Sequence, residues 1–350
     1  MIAALFHGWE RRLASVSKDR VVRPFEWGED WLPLHEHDGL EADARVRRWV
    51  TEVMSDSHTF FDSPPTRDYQ FEDAPASRRQ RGEAGTVRFP SALVTPHEVN
   101  NTVDARWFPA ARDAGTSSDG RAVLVMSQWN ADPEGHIGLA RLLASFGISA
   151  LRMSLPYHDR RMPAELTRAD YIVSSNIART VQVCRQAVLD ARRAIGWLSL
   201  QGYTRIGILG TSLGSCLAML TTAHEPRIRV QALNHISPWF ADVVWRGLST
   251  RHVRTGLDGH VELARLRDLW SPISPLPYLE QVRHARSLLV YAKYDLTFPV
   301  DLSRSLVEEF RRREVPHEVA VLPCGHYSTG MVPFKFLDAY LLIRFLRQHL

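Results

Sequence analysis

The chain has 350 residues, 45% hydrophobic and 23% charged, an ordinary balance for a globular protein whose core can hold an eight-stranded α/β sheet. Its 43 basic and 39 acidic side chains leave a formal charge of +4, scattered without basic runs or aromatic–basic alternation, so nucleic acid is not an expected partner. Cys184, Cys216 and Cys324 are odd in number and widely spaced, which argues against a disulfide framework and for a reducing, cytoplasmic compartment. No stretch offers the roughly 18 consecutive apolar residues of a membrane span. The apolar start at Met1 to Leu5 stops at His7-Gly8-Trp9-Glu10, without the basic region or cleavage pattern of a signal peptide.

Residues 1–84 read as an N-terminal helical extension and linker. Helical patterns run over Ile2 to Val16 and Leu40 to Met54. Trp9, Trp27, Trp31 and Trp49 are expected to pin them to the main body, because an indole buries a large apolar area. His35-Glu36-His37-Asp38 invites a metal reading. A polar H-x-H loop with no third ligand nearby is more simply solvated, so no metal is assigned. From Asp62 to Ala84 the chain is rich in Pro, Arg, Asp and Glu, lacks apolar period, and reads as a linker or meandering loop.

Residues 85–350 alternate strand and helix signals. Thr86 to Val94 and Thr102 to Phe108 predict an antiparallel pair, and Ala122 to Met126 a buried parallel strand. A helix over His136 to Phe146, a strand over Ser149 to Met153 and a long helix from about Asp170 to Leu200 continue the βαβ pattern. Arg205 to Leu209 is a short apolar strand that ends at Gly210-Thr211-Ser212-Leu213-Gly214, and a helix of small and apolar residues follows. A G-x-S-x-G run between strand and helix is a nucleophile elbow, whose tight turn leaves no room for side chains two residues either side of the serine.

Two later strands supply the partners that such a serine needs. Ser287 to Ala292 runs into Lys293-Tyr294-Asp295, and Glu318 to Leu322 runs into Pro323-Cys324-Gly325-His326 before a terminal helix from about Pro333. The order Ser212, Asp295, His326 suits a serine nucleophile, an acid and a histidine base. His235, near the end of the Val230 to Ile236 strand, is the second candidate imidazole but precedes the acid.

On the G-T-S-L-G elbow, the Y-D-L-T-F-P acid loop and the C-G-H-Y histidine loop, the chain resembles the serine hydrolases of the α/β-hydrolase fold from about Gly85 to its C-terminus. Pro156-Tyr157-His158-Asp159-Arg160-Arg161-Met162-Pro163, the long helix before the elbow and the N-terminal extension are similar to the group named after α/β-hydrolase domain-containing protein eighteen. The resemblance implies a mostly parallel eight-stranded sheet flanked by helices, a helical cap insertion, and the triad Ser212, Asp295, His326. It also implies an oxyanion hole from the N–H of Leu213 and one from Gln128 or Trp129, although Ser127-Gln128-Trp129-Asn130 departs from the glycine-rich start expected of that loop.

The stretch 239–285 far exceeds the usual loop of about 4 to 6 residues and reads as the cap, with helices near Ala241 to Leu248 and Val261 to Trp270. Trp239, Phe240 and Trp245 are its candidate substrate-binding residues, with His158 at the end of the Ser149 to Met153 strand as a candidate polar contact. No phosphate loop or dinucleotide fingerprint occurs, so no cofactor is expected. The function anticipated is hydrolysis of a small-molecule or lipid-like carboxylic ester through a Ser212 acyl-enzyme. An amidase or peptidase with the same triad, or a non-catalytic scaffold of the same fold, is the alternative.

Overall fold

The computed structural model describes residues 2–17, 19–33, 39–110 and 120–350; the His35-Glu36-His37-Asp38 run lies outside the described residues. Its strands are β1 (Gln70–Asp73), β2 (Gly85–Pro90), β3 (Thr102–Phe108), β4 (Arg121–Met126), β5 (Ser149–Met153), β6 (Arg205–Thr211), β7 (Ile228–Asn234), β8 (Arg286–Ala292) and β9 (His317–Leu322). They form one nine-stranded sheet in the order β1-β2-β3-β5-β4-β6-β7-β8-β9. Strands β4 to β9 run parallel, β3 lies antiparallel to β5, and β1, β2 and β3 pair antiparallel in turn.

The ninth strand corrects the expectation of eight. β1 lies in the stretch read as a linker, and all four of its residues are exposed. It has no buried face to create an apolar alternation, and its pairing with β2 alone makes it a strand.

The helices are α1 (Ile2–Ala14), α2 (Ala42–Ser55), α3 (Ser57–Phe60), α4 (Ala76–Arg79), α5 (Ile137–Ser145), α6 (Ile177–Leu200), α7 (Leu213–His224), α8 (Phe240–Arg246), α9 (Arg251–Leu257), α10 (Leu263–Leu269), α11 (Val300–Arg312) and α12 (Phe334–His349). Helix α6 starts later than the Asp170 expected from sequence, at Asn176, whose side chain accepts the Arg179 N–H. The stretch 239–285 holds α8, α10 and also α9, which the sequence reading passed over.

Both faces of the central strands are covered, which is why they read as continuous apolar runs. Ala122, Leu124 and Met126 join the core cluster that takes in α6, α7 and α11, and Val123 and Val125 join the one built with α5 and α12. Trp49 is buried in the first cluster, and Trp27 and Trp31 pack against it. Trp9 stays half-buried, with its ring 6.5 Å from that of Phe334. Among the described residues no helix is long and apolar enough to cross a membrane.

Candidate active site

Loops converge at the carboxyl ends of the parallel strands, the edge where sheets of this type bind ligands. The loop after β6 is the elbow. Ser212 sits at φ 57° and ψ −119°, a strained conformation for a residue with a side chain. A Cβ on Gly210 would lie 2.0 Å from the Gly214 carbonyl oxygen, and one on Gly214 would lie 2.4 Å from the Met126 carbonyl oxygen. Only glycine fits either place. The Ser212 N–H donates to the Asn234 carbonyl at 2.7 Å, and the Ser215 hydroxyl bonds the carbonyls of Ser212 and His235 at 2.7 and 2.8 Å. The turn is thereby fastened to the end of β7.

Asp295 follows β8 and is buried with four donors around its carboxylate. Oδ1 accepts the backbone N–H groups of Thr297 and Phe298, each at 2.7 Å. Oδ2 accepts from Nδ1 of His326 and from Nδ1 of His235, each at 3.0 Å. Burial works against the carboxylate, but the charge and hydrogen bonds of the two imidazoles outweigh it and hold Asp295 well below the ordinary carboxylate range. For His326 burial likewise opposes the charged form. The Asp295 carboxylate overcomes it by charge and hydrogen bonding, helped by Glu10, and raises His326 above its ordinary value. Burial and then the neighbouring His326 push His235 down.

The Phe298 ring stacks parallel to the His326 ring at 5.3 Å, and Phe298 and Ser212 both line the adjoining cavity. The Ser212 hydroxyl makes no side-chain hydrogen bond among the described residues, so Asp295 and His326 are brought together while the serine–imidazole contact is left unmade. Apo sites commonly show such contacts long or open. Donor atoms of His235, Asp295 and His326 lie within 4.8 Å of one another, the one trio among the described residues close enough to share a metal ion. The spacing to Asp295 is that of hydrogen bonds, with both imidazoles donating.

The cavity is chiefly apolar. Leu213, Cys216, Trp129, Trp239, Phe240, Val243 and Val244 line it together with Ser212 and Phe298. Trp239 and Phe240 thus stand on the cavity wall. Trp245 does not: it lies off the cavity, half-buried beneath the Arg254 guanidinium, 4.8 Å from its ring centre. Of the oxyanion candidates, Leu213 begins α7 beside the serine and Trp129 is on the wall. Gln128 is not among the lining residues, and its carbonyl closes a turn with the Ala131 N–H at 3.2 Å.

His158 is the clearest displacement from the sequence reading. It is buried away from the cavity, with Nδ1 bonded to the Pro156 carbonyl at 2.8 Å and Nε2 accepting the Asn130 N–H at 3.0 Å. Both nitrogens are occupied, so His158 braces the loop after β4 and has no polar edge for a substrate. Its motif partner Arg161 is also structural. Fully buried, it pairs with Asp190 at 2.8 Å and donates to the carbonyls of Asn100 and Ser154. Cys324 is a buried thiol beside Thr329 Oγ1, pushed up to about 11 by burial.

Two residues of the site escaped the sequence reading in part or whole. His235 appeared only as a rival base, whereas the structure joins it to the same carboxylate oxygen as His326. Glu10 carries no site motif in the sequence. It is fully buried, and its carboxylate accepts the N–H groups of Tyr327 and Ser328, at 2.8 and 2.9 Å, and the Ser328 hydroxyl at 2.7 Å. Only its standing as the lone acid in α1 marked it, and that says nothing about burial.

Sheet order, elbow and the loops after β8 and β9 together define an α/β-hydrolase fold. Solved structures agree. Acetyl xylan esterase 1 of Thermoanaerobacterium sp. matches with a TM-score of 0.58 and 12% identity, over 97% of this chain and 98% of that one. The acetyl xylan esterase of Paenibacillus sp. R4 matches with a TM-score of 0.59 and 17% identity, over 92% and 98%. An acylaminoacyl peptidase of Pyrococcus horikoshii gives 0.59 and 13%, over 81% of this chain and 42% of the peptidase, so the chain spans less than half of that protein. No protein-family model matches the chain, and no curated protein matches it in sequence.

Proposed function

We propose that the protein is a serine hydrolase that cleaves a small-molecule or lipid-like carboxylic ester through a Ser212 acyl-enzyme. The observation that carries this reading is the Asp295–His326 hydrogen bond beside a strained, glycine-flanked serine on the wall of an apolar cavity. His326 Nε2 takes the Ser212 proton as the hydroxyl attacks the acyl carbon. Asp295 keeps Nδ1 protonated and stabilises the imidazolium. The Leu213 N–H and a backbone N–H of Gln128 or Trp129 receive the oxyanion, each donor worth about 2.7 to 4 kcal/mol of barrier. The imidazolium then protonates the leaving alcohol, and water repeats the sequence in reverse to free the acid.

Residues 85–350 are the catalytic domain in this reading, with 239–285 as its cap. The three free, buried cysteines support a cytoplasmic setting. A chiefly apolar wall suits an acyl chain better than an extended peptide, and two of the similar structures are esterases by name. Likeness to a peptidase keeps amide cleavage as the second reading. A fluorophosphonate probe is expected to label Ser212 and to hydrolyse no further, with labelling and ester turnover lost in Ser212→Ala. Asp295→Asn should lower turnover by about 10⁴-fold, as the same change does in serine-protease triads. Labelling that survives in Ser212→Ala rejects the nucleophile, absence of labelling in the native chain favours a scaffold, and cleavage of aminoacyl amides without ester turnover favours the peptidase.

A further inference from the structure

We infer that Glu10 is a positioning residue for His326, and that α1 acts as a clamp across the loops carrying the acid and the base. The inference rests on the Ser212–Asp295–His326 reading and adds to it a dependence on the N-terminal segment.

A buried carboxylate without partners is strongly disfavoured, so its surroundings reveal what it is there to hold. Glu10 takes its donors from the two residues that follow His326, Tyr327 and Ser328. Ser328 Oγ also accepts the N–H of Gly325, the residue before His326, at 2.8 Å. One carboxylate thus organises backbone on both sides of the imidazole. Gly325 leaves the space for it: a Cβ there would lie 2.3 Å from the Glu10 carboxyl carbon.

One turn earlier on the same face of α1, Phe6 stacks on Tyr294, the neighbour of Asp295, with ring centres 4.5 Å apart and planes 10° apart. Arg20, just beyond α1, donates to the Tyr327 hydroxyl at 3.2 Å and to the Ala14 carbonyl at 2.9 Å. The helix therefore grips the acid loop through Phe6 and the base loop through Glu10. The ionisable groups that face His326 are Asp295 from the loop after β8, His235 from the loop after β7, Glu10 from α1, and the adjoining Tyr327 with Arg20 at its hydroxyl.

Glu10→Gln removes the charge and turns an NH2 toward groups that are themselves donors. Ester kcat is expected to fall by about tenfold or more with KM nearly unchanged, the scale of one lost hydrogen bond to a charged group. The acid limb of kcat/KM should move to lower pH, because a carboxylate near the imidazole favours its protonated form. A defect of folding alone would lower the melting temperature and leave the limb in place. Glu10→Asp, which keeps the charge but stops a methylene short, should lower kcat several-fold with the native limb, and it serves as the test if Glu10→Gln does not fold. His326→Ala and Ser212→Ala run alongside. If either keeps native fluorophosphonate labelling, the reading of the site fails. If both abolish it while Glu10→Gln keeps the native kcat or the native limb, or Glu10→Asp keeps the native kcat, the clamp alone is overturned.

Discussion

Removal of the second imidazole from Asp295 tests which histidine is the base. In His235→Ala, Oδ2 keeps the His326 donor and Oδ1 keeps the N–H groups of Thr297 and Phe298. One hydrogen bond to a charged acceptor is lost, worth about 1.5 to 3 kcal/mol. At 1.36 kcal/mol per unit, the carboxylate becomes more basic by about 1 to 2 units at most. Asp295 starts well below the ordinary range, so it remains ionised at neutral pH. A more basic carboxylate stabilises the His326 imidazolium, which raises the value of His326 further. Because the base must be neutral to act, kcat/KM rises with pH through that value, which in the native protein lies above the ordinary 6.5. The variant's acid limb should therefore lie higher than the native limb by up to about one unit, giving less than about a tenfold loss near pH 7 and near-native rates at alkaline pH. His235 has a positive φ of 58°, so His235→Asn, which tolerates that backbone and offers an N–H, should restore most of the native profile. The assay is kcat/KM for a p-nitrophenyl ester across pH, with melting temperatures recorded beside it. A loss in His235→Ala as deep as that in His326→Ala, at every pH, would refute the assignment of His326 as the sole base.

Trp239→Ala should shift the preferred acyl length toward longer chains in a graded ester series, because Trp239 forms cavity wall, whereas Trp245→Ala should leave the preference unchanged; the opposite pattern would place the acyl site elsewhere. Asp338, on α12, is pushed up to about 7 by burial, against the Asn234 Nδ2–H bond at 2.9 Å. The folded protein keeps a proton that the unfolded chain releases near 3.8, so this contribution to stability is lost as pH rises from about 4 to about 7. Asp338→Asn should remove that slope and melt higher than the native protein at pH 8; an unchanged melting curve across pH would count against a buried acid there.

What the sequence determined by itself is local. A strand buried on both faces must be apolar along its length, as β4 and β6 are, and a serine held at positive φ between backbone segments needs glycine at Gly210 and Gly214. The order of Asp295 and His326 at strand ends was legible for the same reason, since each lies within a few residues of an apolar run. The tertiary structure decided whatever depends on segments distant along the chain. β1 exists because β2 offers it an edge, and α9 is a short helix whose place is set by packing. His158 and Trp245 have the chemistry of a site yet were spent elsewhere, the first on the Pro156 carbonyl and Asn130, the second beneath Arg254. Glu10 bonds a residue 317 positions away, and His235 reaches Asp295 across 60. No periodicity records such a contact, because burial of a carboxylate or an imidazole becomes favourable only when its partner arrives from another part of the fold.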